Sequence, residues 1–335
     1  MVEVSRVPGP VFAVAPMMDW TDRFCRAFHR ALTRQAVLYT EMLTAGAVVH
    51  GDRQRLLSFD PVEEPLVLQL GGSEPDLLAQ ASEIAATWGY SALNLNCGCP
   101  SDRVQKGRFG ACLMAEPALV RDCVAAMARA SGLPVTVKCR IGIDQQEDYA
   151  DLLRFVDCVA EGGVTCFIVH ARKAWLQGLS PKQNREVPPL RYEVVERLKQ
   201  ERPQLEIHLN GGLQTLEQAE AALAWADGVM LGRAAYQDPA LLLQVDSRIY
   251  GMSDPLEGRG EAVAALITQA ERLAEEGIPL RALARHSLGL MNGLPGARAW
   301  RRIVSEGMRD PAAGPDLFRQ GLAAVRLPDT TRAAA

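Results

Sequence analysis

Residues 66–100 read LVLQLGGSEPDLLAQASEIAATWGYSALNLNCGCP, and the fold is decided here. A short, almost wholly apolar run, Leu66–Leu70, gives way to Gly71-Gly72. A helical pattern then extends from Glu74 to Trp88 behind Ser73, a residue type suited to capping it. A second apolar run follows at Ala92–Asn96. Runs that are apolar throughout, rather than alternating, are expected of parallel strands covered on both faces. Working outward, the same rhythm recurs at Val11–Met17, Ala36–Met42, Val135–Arg140, Cys166–His170, Glu206–Asn210 and Gly228–Gly232, which brings the strands to eight. Helical patterns lie between most of them, for example Pro117–Ala130 and Leu216–Trp225, the latter behind Thr215. Eight strand–helix alternations within the first 241 residues predict an α/β fold of the (β/α)8 TIM-barrel type. An open doubly wound sheet would want a glycine-rich fingerprint after an early strand, and none stands there.

After Gln237-Asp238-Pro239 the strand signal stops. Arg259–Gly277, Pro279–Asn292, Ala297–Met308 and Pro315–Val325 carry apolar residues at three- and four-residue spacing, divided by glycine and proline. The expectation is a catalytic barrel over 1–241, a small all-helical domain over 242–328 and a disordered tail over 329–335.

Of the 335 residues 48% are hydrophobic and 23% charged, with a formal net charge of −4, so bulk charge points to no nucleic acid. No segment reaches the roughly 20 apolar residues of a membrane span. The eight cysteines are irregularly spaced and no leader pattern precedes them, which predicts reduced thiols and a cytoplasmic location. Cys97-Gly98-Cys99 lacks a second Cys/His pair at zinc spacing, so no metal is expected. Cys123, Cys139, Cys158 and Cys166 read as small buried hydrophobes, and no obligate protein partner is evident.

Barrels collect their chemistry at the C-terminal strand ends. Those ends carry Pro16-Met17-Met18, Glu41, Gln69, Asn96, Lys138, His170, Asn210 and Arg233, and a purely structural barrel has no reason to aim such groups into one mouth. Asn210-Gly211-Gly212 and Gly232-Arg233 suit a phosphate, because glycine lets backbone N–H groups approach an anion. Lys138, if buried, needs an anionic partner or a shifted pKa: for a partner, Glu41 across the mouth is one option and a bound anion another. Cys99, between Gly98 and Pro100, suits a general acid, since ordinary thiols titrate at ~8.5 and carry a proton near neutrality.

The run Asn94-Leu95-Asn96-Cys97-Gly98-Cys99-Pro100-Ser101-Asp102-Arg103-Val104, continued by Gly107-Arg108-Phe109-Gly110-Ala111-Cys112-Leu113-Met114, resembles the signature of the tRNA-dihydrouridine synthases. Ala15-Pro16-Met17-Met18-Asp19-Trp20, Val135-Thr136-Val137-Lys138, His170-Ala171-Arg172 and Asn184-Arg185-Glu186-Val187 fit the same family. Lys173-Ala174-Trp175 and Arg298-Ala299-Trp300-Arg301-Arg302 look most like its A-type subfamily, which acts on D-loop uridines at about position 20/20a. The resemblance implies FMN over the barrel mouth, reduced by NADPH, with hydride passing to uracil C6 while a cysteine protonates C5. Carried over by position, Cys99 is that acid. Pro16, Met17, Met18, Gln69, Lys138, His170, Asn210, Gly211, Gly212, Gly232 and Arg233 would hold FMN. Asn96, Lys182, Arg185, Arg298 and Arg301 would meet tRNA. The stretch 277–305 holds five arginines and no Asp or Glu, as phosphate contacts require. A small-molecule flavin reductase of the dihydroorotate dehydrogenase type would share the phosphate site without needing that stretch. A non-catalytic RNA-binding barrel would not need Cys99.

Overall fold

The computed structural model describes residues 9–146 and 148–328. Packing divides the chain into two compact units, Met1–Thr21 with Gln35–Gly232, and Asp22–Arg34 with Arg233–Ala335.

The first unit is the expected barrel. Its strands are β1 (Val11–Val14), β2 (Leu38–Tyr39), β3 (Leu66–Gly71), β4 (Ala92–Cys97), β5 (Val135–Arg140), β6 (Cys166–His170), β7 (Glu206–Asn210) and β8 (Gly228–Leu231), all parallel, each paired with its sequence neighbour from β2 onward. β8 pairs with β1, and a bridge from Ala13 to Val37 joins β1 to the segment leading into β2. The second run is split: pairing with β3 stops at Tyr39 and resumes at Leu43–Thr44. Between the two pieces the Thr40 hydroxyl accepts the Gln69 N–H at 3.1 Å, so a side chain replaces ladder bonds. The helix after β3 starts at Pro75 with Glu74 at its cap and no side-chain cap bond, not behind Ser73 as expected. Proline suits that first position because its φ is already helical and its missing N–H would have been unpaired anyway. The Thr215 cap is formed, its hydroxyl accepting the Gln218 N–H at 3.3 Å.

Side chains alternate across each strand, so residues two apart share the barrel interior. Val11, Ala13, Ala15, Val37, Tyr39, Val67, Ala92, Cys166, Ile168 and Met230 form one buried apolar cluster there. The same parity continued upward gives Gln69 above Val67, Asn94 and Asn96 above Ala92, His170 above Ile168. The polar strand ends therefore stand over the apolar floor because period-2 geometry leaves them nowhere else to point.

The second unit is helical: Arg23–Leu32, Val245–Tyr250, Arg259–Glu275, Arg281–Ala284, Ala297–Gly307 and Asp316–Ala323 are its main helices. Trp300 and Phe318 are fully buried with ring centroids 6.2 Å apart, and Trp300 Nε1 donates to the Ser287 carbonyl at 3.1 Å. The expected helix over 279–292 shrinks to Arg281–Ala284; turns occupy most of the rest. Packing also draws the boundary at Gly232 rather than 241 and assigns Arg23–Leu32 to this unit. That helix is held to its partners within the unit by Gln269 Nε2 on the Ala27 carbonyl and by a Thr33–Asp246 hydrogen bond. The expected tail over 329–335 lies outside the described residues. Among the described residues, no helix is long and apolar enough to cross a membrane.

Candidate active site

At the barrel mouth, Lys138 Nζ donates to Asn210 Oδ1 at 2.8 Å, and Asn210 Nδ2 donates to the Met230 carbonyl at 2.7 Å. The bond to Asn210, and not an ion pair with Glu41, is what the Lys138 ammonium makes. Burial, followed by repulsion from Arg140, pulls its pKa down to about 8. His170 stands on β6 in register with Asn210. Burial, then Arg140, Lys138, Arg172 and Arg185, keep its pKa well below the usual histidine value, so the ring is neutral at pH 7. The charges acting on His170 are thus all cationic. The buried cations among them, Lys138 and Arg140, make a site that favours an anion.

Gly211 and Gly212 follow Asn210 with φ of 103° and 76°. Only glycine tolerates this conformation twice in succession. A Cβ on Gly211 would lie 2.5 Å from the His170 ring, and one on Gly212 would lie 2.3 Å from Leu190. A Cβ on Gly232 would come within 3.7 Å of Met17 Sδ, which places the third glycine beside the β1 end. There Met17 N donates to Thr21 Oγ1 at 2.9 Å, closing a turn that leaves Met18 exposed. The result is a bare backbone cradle beside a cationic pocket, built from Pro16 to Met18, Gly211, Gly212 and Gly232. Arg233 starts the helix Arg233–Gln237 and packs with the second unit.

The loop after β4 is held from both sides. Asn96 Oδ1 accepts the N–H groups of Gly98 and Cys99, each at 3.0 Å. Arg140 Nε donates to the Gly98 carbonyl at 2.8 Å, and its Nη1 donates to the carbonyls of Lys173 and Asn184. Gln105 Nε2 ties the Pro100 and Leu176 carbonyls together. The Cys99 carbonyl accepts the Ala111 N–H at 2.9 Å beside Gly110, whose φ is 76° and whose Cβ, if present, would sit 2.6 Å from that carbonyl. Gly110 is there because the backbone folds back against the cysteine. Cys99 itself is half-buried, with Sγ 3.5 Å from Ser101 Oγ. Cys97 is fully buried and its thiol is pushed far up by burial, so it packs as an apolar group; all eight cysteines are free.

Lys182 and Arg185 flank a short turn, Gln183–Arg185, and both are exposed. Asn184, between them, is buried and holds the turn through Trp175 and Leu179. Arg185 is close enough to act electrostatically on Arg140 and His170. In the helical unit, Arg298 and Arg301 are exposed on Ala297–Gly307, and Arg301 donates to Asn292 Oδ1 at 2.6 Å. Arg285, one of the five basic residues in that stretch, is engaged by Asp22. The structure thus gathers Cys99, Asn96, Gln69, Lys138, His170, Asn210 and the glycines in the barrel, while Arg233, Arg298 and Arg301 belong to the other unit.

Sequence reading gave no part to Asn94, Thr136, Arg140 or Asn184. A usable signal was present for Asn94: two amides at alternate positions of one apolar strand share a face. A Cys166–Glu206–His208 group at the opposite end of the strands also went unread. His208 Nε2 lies 2.7 Å from Glu206 Oε1 and 3.9 Å from Cys166 Sγ. Nitrogen and oxygen ligands of a tetrahedral zinc stand ~3.3 Å apart for bonds of ~2.0–2.1 Å. The shorter separation is that of a hydrogen-bonded pair beside a packed thiol.

A family model described as dihydrouridine synthase (Dus) matches residues 13–320. The chain is 57% identical over 320 residues to a tRNA-dihydrouridine(20/20a) synthase of Xanthomonas campestris, covering 96% of this chain and 94% of that protein. It is 53% identical over 316 residues to the protein of the same name from Synechocystis, covering 94% and 95%. For that from Vibrio cholerae the identity is 51% over 314 residues, covering 93% and 96%. Among solved structures, morphinone reductase is similar in fold, with a TM-score of 0.52 at 13% identity over 75% of this chain and 89% of that one.

Proposed function

From the premise that the chain belongs to the dihydrouridine synthase family, we propose that it reduces uridine to 5,6-dihydrouridine in the D-loop of tRNA, at about position 20/20a. The cofactor in this reading is FMN, NADPH is the reductant, and the site of action is the cytoplasm. The observation that carries the proposal is the mouth itself. Buried Lys138 and Arg140, with His170 kept neutral, adjoin a strand end where Gly211 and Gly212 run as bare backbone, a Cβ at either colliding with His170 or Leu190. That combination fits a phosphorylated, electron-rich ring system. Gln69, Lys138, His170 and Asn210 would meet its polar edges, while Gly211, Gly212, Gly232 and Arg233 would meet the phosphate.

When bound, FMN supplies the hydride for uracil C6. Cys99 then gives its thiol proton to C5, because hydride at C6 leaves enolate-like charge conjugated to the C4 carbonyl. The thiol is held for this by its own loop: Asn96 fixes the two N–H groups, Arg140 the Gly98 carbonyl, and the folded-back Ala111 N–H the Cys99 carbonyl. Asn96 keeps one Nδ2 hydrogen beyond its bond to Gln69, and that hydrogen is the group offered to the base.

A uracil inside folded RNA must be turned out to reach the mouth, at a cost of a few kcal/mol. Exposed Lys182, Arg185, Arg298 and Arg301 are the phosphate contacts that would offset it. The test is Cys99→Ala: FMN and tRNA binding should persist while dihydrouridine formation falls below detection. Undiminished formation would remove Cys99 as the acid, and failure of the wild-type protein to make dihydrouridine would remove the function.

A further inference from the structure

The buried amides beneath the mouth form a single directed chain. Asn96 Oδ1 accepts two backbone N–H groups, from Gly98 and Cys99, so its oxygen can face no other way. Its Nδ2 must then donate to Gln69 Oε1, at 2.9 Å. With that oxygen fixed, Gln69 Nε2 donates to Asn94 Oδ1 at 2.8 Å, and Asn94 Nδ2 donates to Thr136 Oγ1 at 2.8 Å. Thr136 closes the chain on the Leu93 carbonyl at 3.3 Å and also hydrogen-bonds Tyr39. Asn94 is fully buried, Gln69 and Thr136 are 1% exposed and Asn96 is 8% exposed, so these groups are satisfied by one another and not by bulk solvent. Register supports the order, since Gln69 pairs with Asn94 and Asn94 with Thr136 across adjacent strands.

We infer that Asn94 and Thr136 are positioning residues: through Gln69 and Asn96 they set, as one unit, the amide face offered to the flavin and the backbone of the Cys99 turn. Neither reaches substrate or cofactor. An amide in a buried chain can reverse only if every member reverses, and the Gly98 and Cys99 N–H groups forbid it. Gln69 is thereby left with one Nε2 hydrogen and one Oε1 lone pair in fixed directions. Deleting the Thr136 hydroxyl leaves a buried Asn94 Nδ2 without its acceptor; the amide directions stay set from the Asn96 end, but Asn94 shifts to recover a partner and draws Gln69 Nε2 with it. The cofactor-side amide and the acid-bearing turn would loosen together.

This inference rests on the dihydrouridine synthase reading, and its test separates the two. Thr136→Val keeps the shape and removes the hydroxyl; Thr136→Ser restores it. For Thr136→Val the expected result is a ten- to hundredfold loss of kcat on tRNA, of the order a small misplacement near the chemistry produces. KM for tRNA should stay within about twofold, as for an interaction absent from tRNA binding. FMN affinity of the apoprotein should weaken and the visible flavin spectrum shift, and Thr136→Ser should recover both. Unchanged FMN affinity and spectrum in folded Thr136→Val would overturn the inference, as would a loss that appears in KM and not in kcat. Should Thr136→Val not yield folded protein, Thr136→Ala, which deletes the hydroxyl without adding volume, is read by the same assays. If the wild-type protein makes no dihydrouridine, the function falls, while FMN affinity and spectrum still decide the inference.

Discussion

Lys138→Met keeps an unbranched stem and deletes the ammonium, and the structure fixes what should follow. In the ligand-free protein that charge is destabilising: burial, then Arg140, hold its pKa at about 8. An unfolded lysine titrates at ~10.4, so carrying the charge near neutrality costs the fold about 3 kcal/mol. The sign is that of a depressed base. Between pH ~8 and ~10.4 the unfolded chain binds the proton that the folded chain has released, so stability rises with pH across that window and is lowest below it. Methionine removes this cost but leaves Asn210 Oδ1 without the Nζ donor, a loss of ~1–3 kcal/mol. The two effects nearly cancel, and the ligand-free variant should melt no lower than wild type. Anion binding should behave oppositely. Wild-type FMN affinity should fall as pH rises through about 8, where Lys138 loses its proton. The second phosphate ionisation, at ~6, is complete by then and does not interfere. Lys138→Met should abolish the pH step and weaken FMN ten- to hundredfold, the equivalent of roughly 1.4–2.7 kcal/mol. Quenching of FMN fluorescence by apoprotein across pH 6.5 to 9.5, beside thermal melts, measures both. A pH-independent wild-type affinity, or a variant that melts several kcal/mol lower yet binds FMN normally, would refute the reasoning.

Gly211→Ala should lose FMN, because a side chain at φ 103° is strained and its Cβ meets the His170 ring at 2.5 Å. Gly228→Ala makes a similar 2.6 Å collision with His208 at the start of β8, so it should lower the melting temperature while sparing FMN affinity. Arg298→Glu should weaken tRNA binding in a mobility-shift assay and leave NADPH oxidation intact; unaltered tRNA affinity would count against that helix face. Burial opposes ionisation of Asp22, but His286, the Cys25 N–H and Arg285 outweigh it and hold the carboxyl at about 2. A depressed carboxylate stabilises above its unfolded pKa and loses that contribution as pH falls from ~4 through ~2. Asp22→Asn should therefore cost about 2 kcal/mol at pH 7 and progressively less in acid, as denaturant midpoints would show.

The barrel was legible because both faces of its strands are covered, which writes apolar runs into the sequence; β5, β6 and β7 start and end at the residues expected. The break in the second strand was not, since Thr40 looks like a strand residue and its hydroxyl bond to Gln69 N joins positions far apart in sequence. Nor could the pattern of Arg23–Leu32 reveal its unit. Its apolar stripe is compatible with packing on a sheet or on helices, and the deciding bonds, to Gln269 and Asp246, come from the distant end of the chain. At the site, residue types at strand ends were readable one by one. What each bonds was not. Sequence offers Lys138 Glu41 as a partner, yet it takes Asn210; Asn96 suits the base edge, yet it spends its oxygen on the Cys99 turn. Burial forces such choices, since every enclosed donor and acceptor must be matched, and matching is a property of three-dimensional neighbours.

The layer between apolar floor and cationic mouth is made of amides and a hydroxyl, and charge explains why. Gln69, Asn94, Asn96 and Thr136 satisfy one another through directional bonds while adding no net charge. A carboxylate at position 69 or 94 could accept comparable hydrogen bonds, but it would sit in low dielectric below Lys138 and pair with it electrostatically. The lysine pKa would climb, its charge would be spent inside the protein, and an incoming anion would meet one available cation fewer. Neutral polar groups give the rigidity the Cys99 turn needs without that loss. The depressed pKa of Lys138 and the absence of charge in the layer beneath it are therefore one feature: the cation stays unspent for a ligand because what supports it is polar but uncharged.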